Sequence, residues 1–234
     1  EASERAVARL NPSKMRSGTM PVIFDPRVSN SIIGHLIGAM SGSSIARRSS
    51  FLLDKLDEQL VDPSILIVDN PHLARGMRSR AFDGEGLPTQ PRNLVENGRI
   101  TGWLMDSASA RQLGQAPTGH AARGGAGAPG VSVGNVHLAP GTVSRDALIA
   151  DITEGVLITE LIGQGVNGVT GDYSRGASGF RIVNGQIAGP VAEFTVAGNL
   201  LTMLANMTPA NDLEWHRPIN VPSLRIEGMT VAGD

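Results

Sequence analysis

Cysteine is absent from this chain of 234 residues, and aromatic side chains make up only 3% of it. The lack of cysteine excludes disulfides, thiolate nucleophiles and zinc sites that depend on sulfur ligands, and it favours a cytoplasmic location. The scarcity of aromatic rings predicts an aliphatic core and argues against the stacking platforms that bind single-stranded nucleic acid. Any function must therefore use other side chains and the main chain.

An excess of charge of one sign is also lacking, because 20 basic and 22 acidic residues leave a formal net charge of −2. Direct nucleic-acid binding needs clustered lysine and arginine, so we expect none. No apolar run approaches the roughly 20 residues that span a bilayer, and we expect no membrane partner. A chain of this length that is 41% hydrophobic can bury a large core as one domain or two closely packed subdomains.

Short apolar runs separated by turn residues predict an α+β fold, with mixed, largely antiparallel sheets and several short helices. Asp25 followed by Pro26 predicts a helix start, with the helix running to residue 40. Two Asn-Gly turns predict hairpins that pair Val95 with Ile100 and Ile182 with Ile187. Residues 41–50 are expected to form a loop, and residues 119–134 a mobile glycine-rich connection.

The most unusual feature is a glycine-rich segment, residues 163–180, with six glycines in eighteen residues. Glycine at this density is expected where the main chain turns sharply or approaches another chain closely. Such a segment could accept an incoming peptide as an added strand through main-chain hydrogen bonds. The candidate residues for binding a peptide or a partner are Gly171, Asp172, Tyr173, Ser174, Arg175 and Gly176. Tyr173 either grips the bound chain or packs into its own loop.

The run GDYSRGA within this segment, followed by an Asn-Gly turn, resembles the TldD/PmbA family, the modulators of DNA gyrase, and in particular its PmbA/TldE branch. The resemblance covers nearly all of the chain. It implies a further N-terminal domain, with residues 1–18 as the end of a helical linker and residues 19–234 as the C-terminal domain. Residues 83–86 match an Asp-x-Glu-Gly element that both branches share, which we expect to be structural.

The family resemblance also implies a zinc motif on the helix that starts at Pro26, in the TldD branch. That motif is His-Glu, three residues, then His, with a cysteine further on. The matching positions here are Gly34, His35 and Ala39, and no cysteine exists. We therefore expect no metal site, no cofactor and no catalytic residue in this chain. We expect His35 to be a packed structural histidine rather than a relic of the catalytic position.

By the resemblance, the chain is the non-catalytic subunit of a zinc metallopeptidase that processes peptides and unfolded proteins. Its expected partner is a TldD-type subunit that carries the zinc, in a heterodimer, with a homodimer as the alternative. Another class of function stays open: a stand-alone binding or regulatory protein that modulates a target such as gyrase through protein contacts.

A third class, a hydrolase with an unrecognised site, would combine Ser174 or Ser178 with His120 and Asp172. No Gly-x-Ser-x-Gly turn supports it, so we do not expect such a triad. Arg47 and Arg48, together with His120, are secondary candidates for contacting an anion or a partner. Two adjacent arginines in a polar loop are more often simply solvated.

Overall fold

The structure, a computed structural model, describes residues 2–163 and 165–233. Gln164 of the glycine-rich segment, and the end residues Glu1 and Asp234 of the expected linker and domain, lie outside the described residues. The helices are α1 (Ala2–Val7), α2 (Pro26–Ala39), α3 (Gly42–Ala46), α4 (Ser107–Leu113), α5 (Arg145–Ile149) and α6 (Leu200–Ala205). The strands are β1 (Ser13–Lys14), β2 (Gly18–Phe24), β3 (Ile67–Asp69), β4 (Arg92–Glu96), β5 (Arg99–Ile100), β6 (Ala121–Ala122), β7 (Gly130–Val131), β8 (Val136–Leu138), β9 (Glu154–Ile162), β10 (Asp172–Val183), β11 (Gln186–Asn199), β12 (Met207–Pro209), β13 (Ile219–Asn220) and β14 (Leu224–Ala232).

The larger sheet has seven strands in the order β1-β11-β10-β9-β2-β14-β12. β11 also pairs with β14, through Thr195, Val196 and Ala197, so that β11, β10, β9, β2 and β14 form a closed ring. Within this sheet β1 is parallel to β11 and β2 is parallel to β9, while the other pairings are antiparallel. Ring closure leaves both edges of β10 and β11 hydrogen-bonded.

A second sheet has five strands in the order β13-β8-β3-β4-β5, and β6 and β7 form a two-stranded ribbon. One continuous hydrophobic core joins the two larger sheets, and its members include Phe24, Ile33, Ile67 and Val136. The prediction of a mixed, largely antiparallel α+β fold with short helices is confirmed.

The helix that positions the candidate site, α2, begins as the sequence predicts. The Asp25 carboxylate accepts a hydrogen bond from the Arg27 amide at 3.0 Å, and Pro26 occupies the first helical turn. Ile32, Ile33 and Leu36 are buried where α2 packs against β2, β9 and β13. One face of α2 is thus fixed to the core, which leaves the other available to line a pocket.

Both predicted hairpins are confirmed. Val95 pairs with Ile100 between β4 and β5, and Ile182 pairs with Ile187 between β10 and β11. The two Asn-Gly turns have positive φ at both residues, as a type I′ turn requires. The hairpins lie in different sheets, so their similarity reflects shared turn chemistry.

Two predicted loops contain regular structure. Residues 42–46 form α3, although residues 41–50 are expected to be a loop, because the Ser44 and Ile45 amides bond back to the Ser41 carbonyl. Within residues 119–134, β6 and β7 pair as a ribbon, and Gly84 donates to the Ala121 carbonyl at 2.7 Å. Contacts distant in sequence thus organise these segments.

The predicted division after residue 18 stays a prediction. On the linker side of it, β1 pairs with β11 and the Met15 side chain is fully buried, so these residues are part of the sheet and the core. Among the helices of residues 2–163 and 165–233, none has the length and apolarity needed to cross a membrane.

Candidate functional site

A pocket of about 280 Å³ lies between α2 and the glycine-rich segment. Both groups of residues that the sequence singles out border it, the altered motif positions from one side and the glycine-rich segment from the other. Phe51 closes a third side, and its amide donates to the Gly168 carbonyl at 2.8 Å. The residues that line the pocket are Gly34, His35, Gly38, Ala39, Ser44, Ser49, Phe51, Val166 and Gly168.

The two helical glycines in the pocket wall face open space. A Cβ built on Gly34 or Gly38 would meet no atom within 4 Å, so neither glycine is required by packing. Glycine in a helix interior nevertheless costs about 0.5–1 kcal/mol relative to alanine. Helix stability alone therefore does not explain why glycine is present at these two positions in the pocket wall.

We expect Gly34→Ala and Gly38→Ala each to raise the free energy of unfolding by about 0.5–1 kcal/mol, because the methyl group improves helix propensity without a clash. Urea denaturation followed by circular dichroism measures this. Gly42→Ala is the matched control, since its Cβ would lie 2.5 Å from Met105 Sδ and 2.9 Å from Ser109 Oγ, and it should destabilise. A lower free energy of unfolding in Gly34→Ala would show that other atoms fill the space beside Gly34, which would contradict this prediction.

Tyr173 lies on the inward face of β10 and is only 1% exposed. Its ring meets the edge of His35 with 6.1 Å between ring centroids and 71° between the ring planes. Tyr173 is therefore buried rather than exposed, and its role in contacting a bound chain stays a prediction. Burial, opposed by the positive charge of Arg175, raises the pKa of Tyr173 to about 12.

Arg175 points to the same face of β10 as Tyr173, since side chains alternate along a strand and Asp172 and Ser174 are exposed on the other face. Arg175 is half-buried and, among the described residues, forms no ion pair; its Nε atom is buried without a hydrogen-bond partner. Burial, followed by the charge of Arg175, lowers the pKa of His35. Arg175 therefore places a positive charge near His35, although it is not among the residues that line the pocket.

The residues present do not fit the family's zinc site. Gly34 and Ala39 carry no ligand atoms, and the charge near His35 is a guanidinium rather than a carboxylate. Within residues 2–163 and 165–233, no three histidine, cysteine, aspartate or glutamate side chains come together as a metal site would need. No step of metal chemistry can be derived from this pocket.

The lowered pKa of His35 makes stability depend on pH. Below about pH 6.5 the unfolded chain takes up a proton that folded His35 resists, so stability falls with the pH through this region. We expect the decrease in the free energy of unfolding between pH 7 and pH 5 to be smaller in His35→Gln than in the wild type. Chemical denaturation across this range tests it, with His216→Gln, an exposed histidine, as control. Equal slopes in all three proteins would contradict this.

The main chain around Tyr173 is bonded on both sides, which corrects the idea of an added strand at this point. Residues 172–174 pair with β11 on one side. On the other side, Ser174 donates to the Gly165 carbonyl at 2.7 Å and Asn167 donates to the Asp172 carbonyl at 2.8 Å. An incoming peptide would have to displace these bonds. The close approach that the glycines predict is present, but within the chain: a Cβ on Gly165 would lie 1.8 Å from Ser174 O.

Three of the residues considered for a hydrolase triad, Asp172, Ser178 and His120, have other side chains as partners. The Asp172 carboxylate, whose pKa is lowered by these bonds, accepts from Thr170 Oγ1 at 2.6 Å and Asn199 Nδ2 at 3.2 Å. Ser178 donates to Glu160 at 3.0 Å. His120 is buried, with Nδ1 2.8 Å from Thr118 Oγ1 and Nε2 3.3 Å from Asp69 Oδ2. None of these contacts joins a serine to His120, and the expectation that no triad forms stays a prediction.

The remaining candidates behave as local structure. Arg47 and Arg48 are exposed in the turn between Ser44 and Ser49 at the pocket rim, and their role as partner contacts stays a prediction. Residues 83–86 are structural, as expected: Asp83 Oδ1 accepts from the Glu85 and Leu87 amides, both at 2.9 Å, and Asp83 Oδ2 accepts from the Ala121 amide at 3.1 Å.

A larger pocket, of about 400 Å³, lies at the start of α2, and no sequence motif predicts it. Arg27 Nε donates to Asp25 Oδ1 at 2.7 Å, Arg145 lies 3.9 Å from the same carboxylate, and Arg217 donates to the Arg27 carbonyl at 2.7 Å. These arginines come from separate parts of the chain, so only the fold brings them together.

Comparison with known proteins places the chain in a family. The model of the PmbA/TldA metallopeptidase C-terminal domain matches residues 17–233. Metalloprotease PmbA of Escherichia coli O157:H7 is 41% identical over 234 residues, which cover 100% of this chain and 50% of that protein. A Thermotoga maritima structure, described as a candidate modulator of a DNA gyrase, has a TM-score of 0.89 at 32% identity, over 99% of this chain and 54% of the other.

TldE from Thermococcus kodakarensis is also similar, with a TM-score of 0.86 at 26% identity over 98% of this chain and 55% of that one. The chain spans about half the length of the curated relatives it matches. The chain belongs to the PmbA/TldD metallopeptidase family, as its C-terminal domain.

Proposed function

We propose that this chain is the C-terminal domain of a non-catalytic, PmbA/TldE-type subunit in a cytoplasmic zinc metallopeptidase that processes peptides and unfolded proteins. The zinc would be held by a TldD-type partner subunit in a heterodimer. The family membership and the metalloprotease name of the Escherichia coli relative support the reaction class.

One observation carries the proposal of a non-catalytic role. At the α2 positions where the family motif provides two imidazoles and a carboxylate, this chain has Gly34, His35 and Ala39, and Arg175 places a positive charge beside the histidine. A cation next to a divalent metal would oppose its binding. The same helix therefore forms a pocket wall without providing the ligands of a hydrolytic metal.

The role left for this domain is to help form the substrate chamber. The open space above Gly34 and Gly38, and the glycine-rich segment opposite, leave a concave surface bordered by few bulky side chains. Such a surface can hold part of an extended peptide while the partner provides the metal.

The proposal is tested by producing the full-length protein with and without a TldD-type partner. We expect the protein alone to contain far less than one zinc per chain and to leave a fluorogenic unfolded peptide intact. The pair should contain zinc and cleave the peptide. Mass spectrometry of the metal and fluorescence of the cleaved peptide provide the two measurements.

Two results would contradict the proposal. Cleavage by the protein alone, lost in Ser174→Ala or His35→Ala, would indicate a hydrolase. A stable homodimer that binds gyrase or another target in the absence of any TldD-type subunit would support a regulatory protein instead.

A further inference from the structure

Three neighbouring side chains, of which His35 lines the pocket, each have a buried polar atom without a hydrogen-bond partner among the described residues. These atoms are His35 Nε2, Tyr173 Oη and Arg175 Nε. Buried polar groups in native proteins are nearly always paired, so each exception calls for an explanation. A cluster of three exceptions in one place points to a group that this chain does not itself provide.

The three side chains are neighbours in the fold. Tyr173 packs edge-on against His35, and Arg175 follows on the same face of β10. The charge of Arg175 reaches both of the other side chains, since it affects the ionisation of each. Tyr173 is 99% buried, while Arg175 is half-buried, so the arginine lies nearer to solvent.

The chemistry of the cluster selects an anion. Arginine and a tyrosine hydroxyl both donate hydrogen bonds, and arginine provides a planar fork that matches the two oxygens of a carboxylate. Among the described residues, no acidic side chain occupies that fork. His35 Nε2 adds a third polar atom that can donate in the appropriate tautomer.

The adjoining space suits the end of a peptide or a single side chain. The pocket measures about 280 Å³, at the lower limit for small-molecule sites, and Gly34 and Gly38 leave its helical wall unfilled. A folded partner could not enter such a volume, but one terminal residue or one acidic side chain could.

We infer that His35, Tyr173 and Arg175 form a binding site for a carboxylate group of a peptide. The inference deepens the proposed function and rests on it for its biological role, because it states which part of a substrate this domain would hold. The carboxylate would come from the C-terminus of the peptide or from an aspartate or glutamate side chain.

The test uses the full-length protein without a partner or added metal, and titration calorimetry with three five-residue peptides. One is alanine with a free C-terminus, the second is the same peptide amidated, and the third is amidated with a central glutamate. We expect the amidated alanine peptide to bind at least about tenfold more weakly than one of the other two. The stronger of those two identifies the source of the carboxylate.

Variants locate the site. Arg175→Gln should weaken binding of the preferred peptide about tenfold or more, and Tyr173→Phe by a few-fold. Among the described residues the Tyr173 hydroxyl has no hydrogen bond of standard geometry, only a weaker interaction with the Arg175 side chain, so Tyr173→Phe should keep the melting temperature within about 2 °C of the wild type. Arg99→Gln, an exposed arginine on β5 that does not line the pocket, is the matched arginine control and should bind as the wild type does.

Equal affinity for all three peptides, or no change in Arg175→Gln, would overturn the inference. A large drop in melting temperature in Tyr173→Phe would also overturn it, because the hydroxyl would then be satisfied within the fold. Since no zinc or partner takes part, failure here leaves the assignment of zinc to a TldD-type partner standing. Failure of that assignment would not alter the binding result.

Discussion

Gly179→Ala is expected to be one of the most damaging single methyl substitutions within the glycine-rich segment. A Cβ at this position would lie 1.9 Å from Leu157 O and 3.0 Å from Ile158 Cα, both main-chain atoms of the neighbouring strand β9. The β9–β10 register shifts at this point, and β9 and β10 belong to the closed ring, so neither can move away freely. We expect the free energy of unfolding to fall by about 3 kcal/mol or more, as measured by urea denaturation.

Gly176→Ala provides the matched control on the same strand. Its added Cβ would lie 3.5 Å from Ile162 Cβ, an ordinary contact, and its φ is not in the left-handed region. We expect it to be neutral or to stabilise by up to about 1 kcal/mol, because alanine loses less backbone entropy than glycine. If Gly176→Ala and Gly179→Ala lowered the free energy of unfolding equally, the close approach of β9 and β10 would not be the reason that residue 179 is glycine.

His120→Ala is expected to have the second largest effect. It removes the ring that lies 3.3 Å from Asp69 Oδ2, while Asp69 is only 1% exposed and its other oxygen already has no partner. The Gly134 amide, at 2.9 Å, would then be the remaining donor to this buried carboxyl among the described residues. Because a buried carboxyl then lacks a partner, the free energy of unfolding should fall by about 2–4 kcal/mol.

Thermal and urea denaturation of His120→Ala measure this loss, and His216→Ala is the control because the His216 ring is 76% exposed. The control should stay within about 0.5 kcal/mol of the wild type. If His120→Ala instead kept full stability, the contact with Asp69 would not be structural, and His120 would return as a candidate for binding.

Elements with local signals were predictable from the sequence. Asp25 and Pro26 mark the start of α2, and Gly114, with φ of 65°, closes α4 in the left-handed conformation that glycine favours. The Asn-Gly turns set the register of both hairpins through their own backbone conformation. In each case the deciding interaction lies within a few residues along the chain.

The candidate site was only partly predictable, because its geometry depends on distant contacts. The position of Gly34, His35 and Ala39 follows from the family resemblance, yet nothing in the sequence shows that Arg175 would come beside His35. The glycines of residues 163–180 obscure the alternation that turns Tyr173 inward and Ser174 outward on β10. The segment therefore suggests an exposed binding loop, whereas much of it forms a central strand paired on both sides.

One feature of the α2 sequence did point to the pocket, because glycines lie together on one face of the helix. Gly34 and Gly38 lie on the side of the helix opposite its buried aliphatic residues, and the structure leaves open space above both. What faces that space, including Phe51 and Val166, comes from segments whose approach to α2 is set by the ring of strands. A pattern within one segment does not show which distant segments will pack against it.

The central claim, that the metal chemistry belongs to a TldD-type partner, is tested most directly by measuring zinc in the reconstituted pair of full-length proteins. Replacing the motif histidines of the partner by alanine should reduce the zinc content to background, while His35→Ala in this chain should leave it unchanged. Zinc that persists without the partner's histidines, or that is lost with His35, would contradict the account.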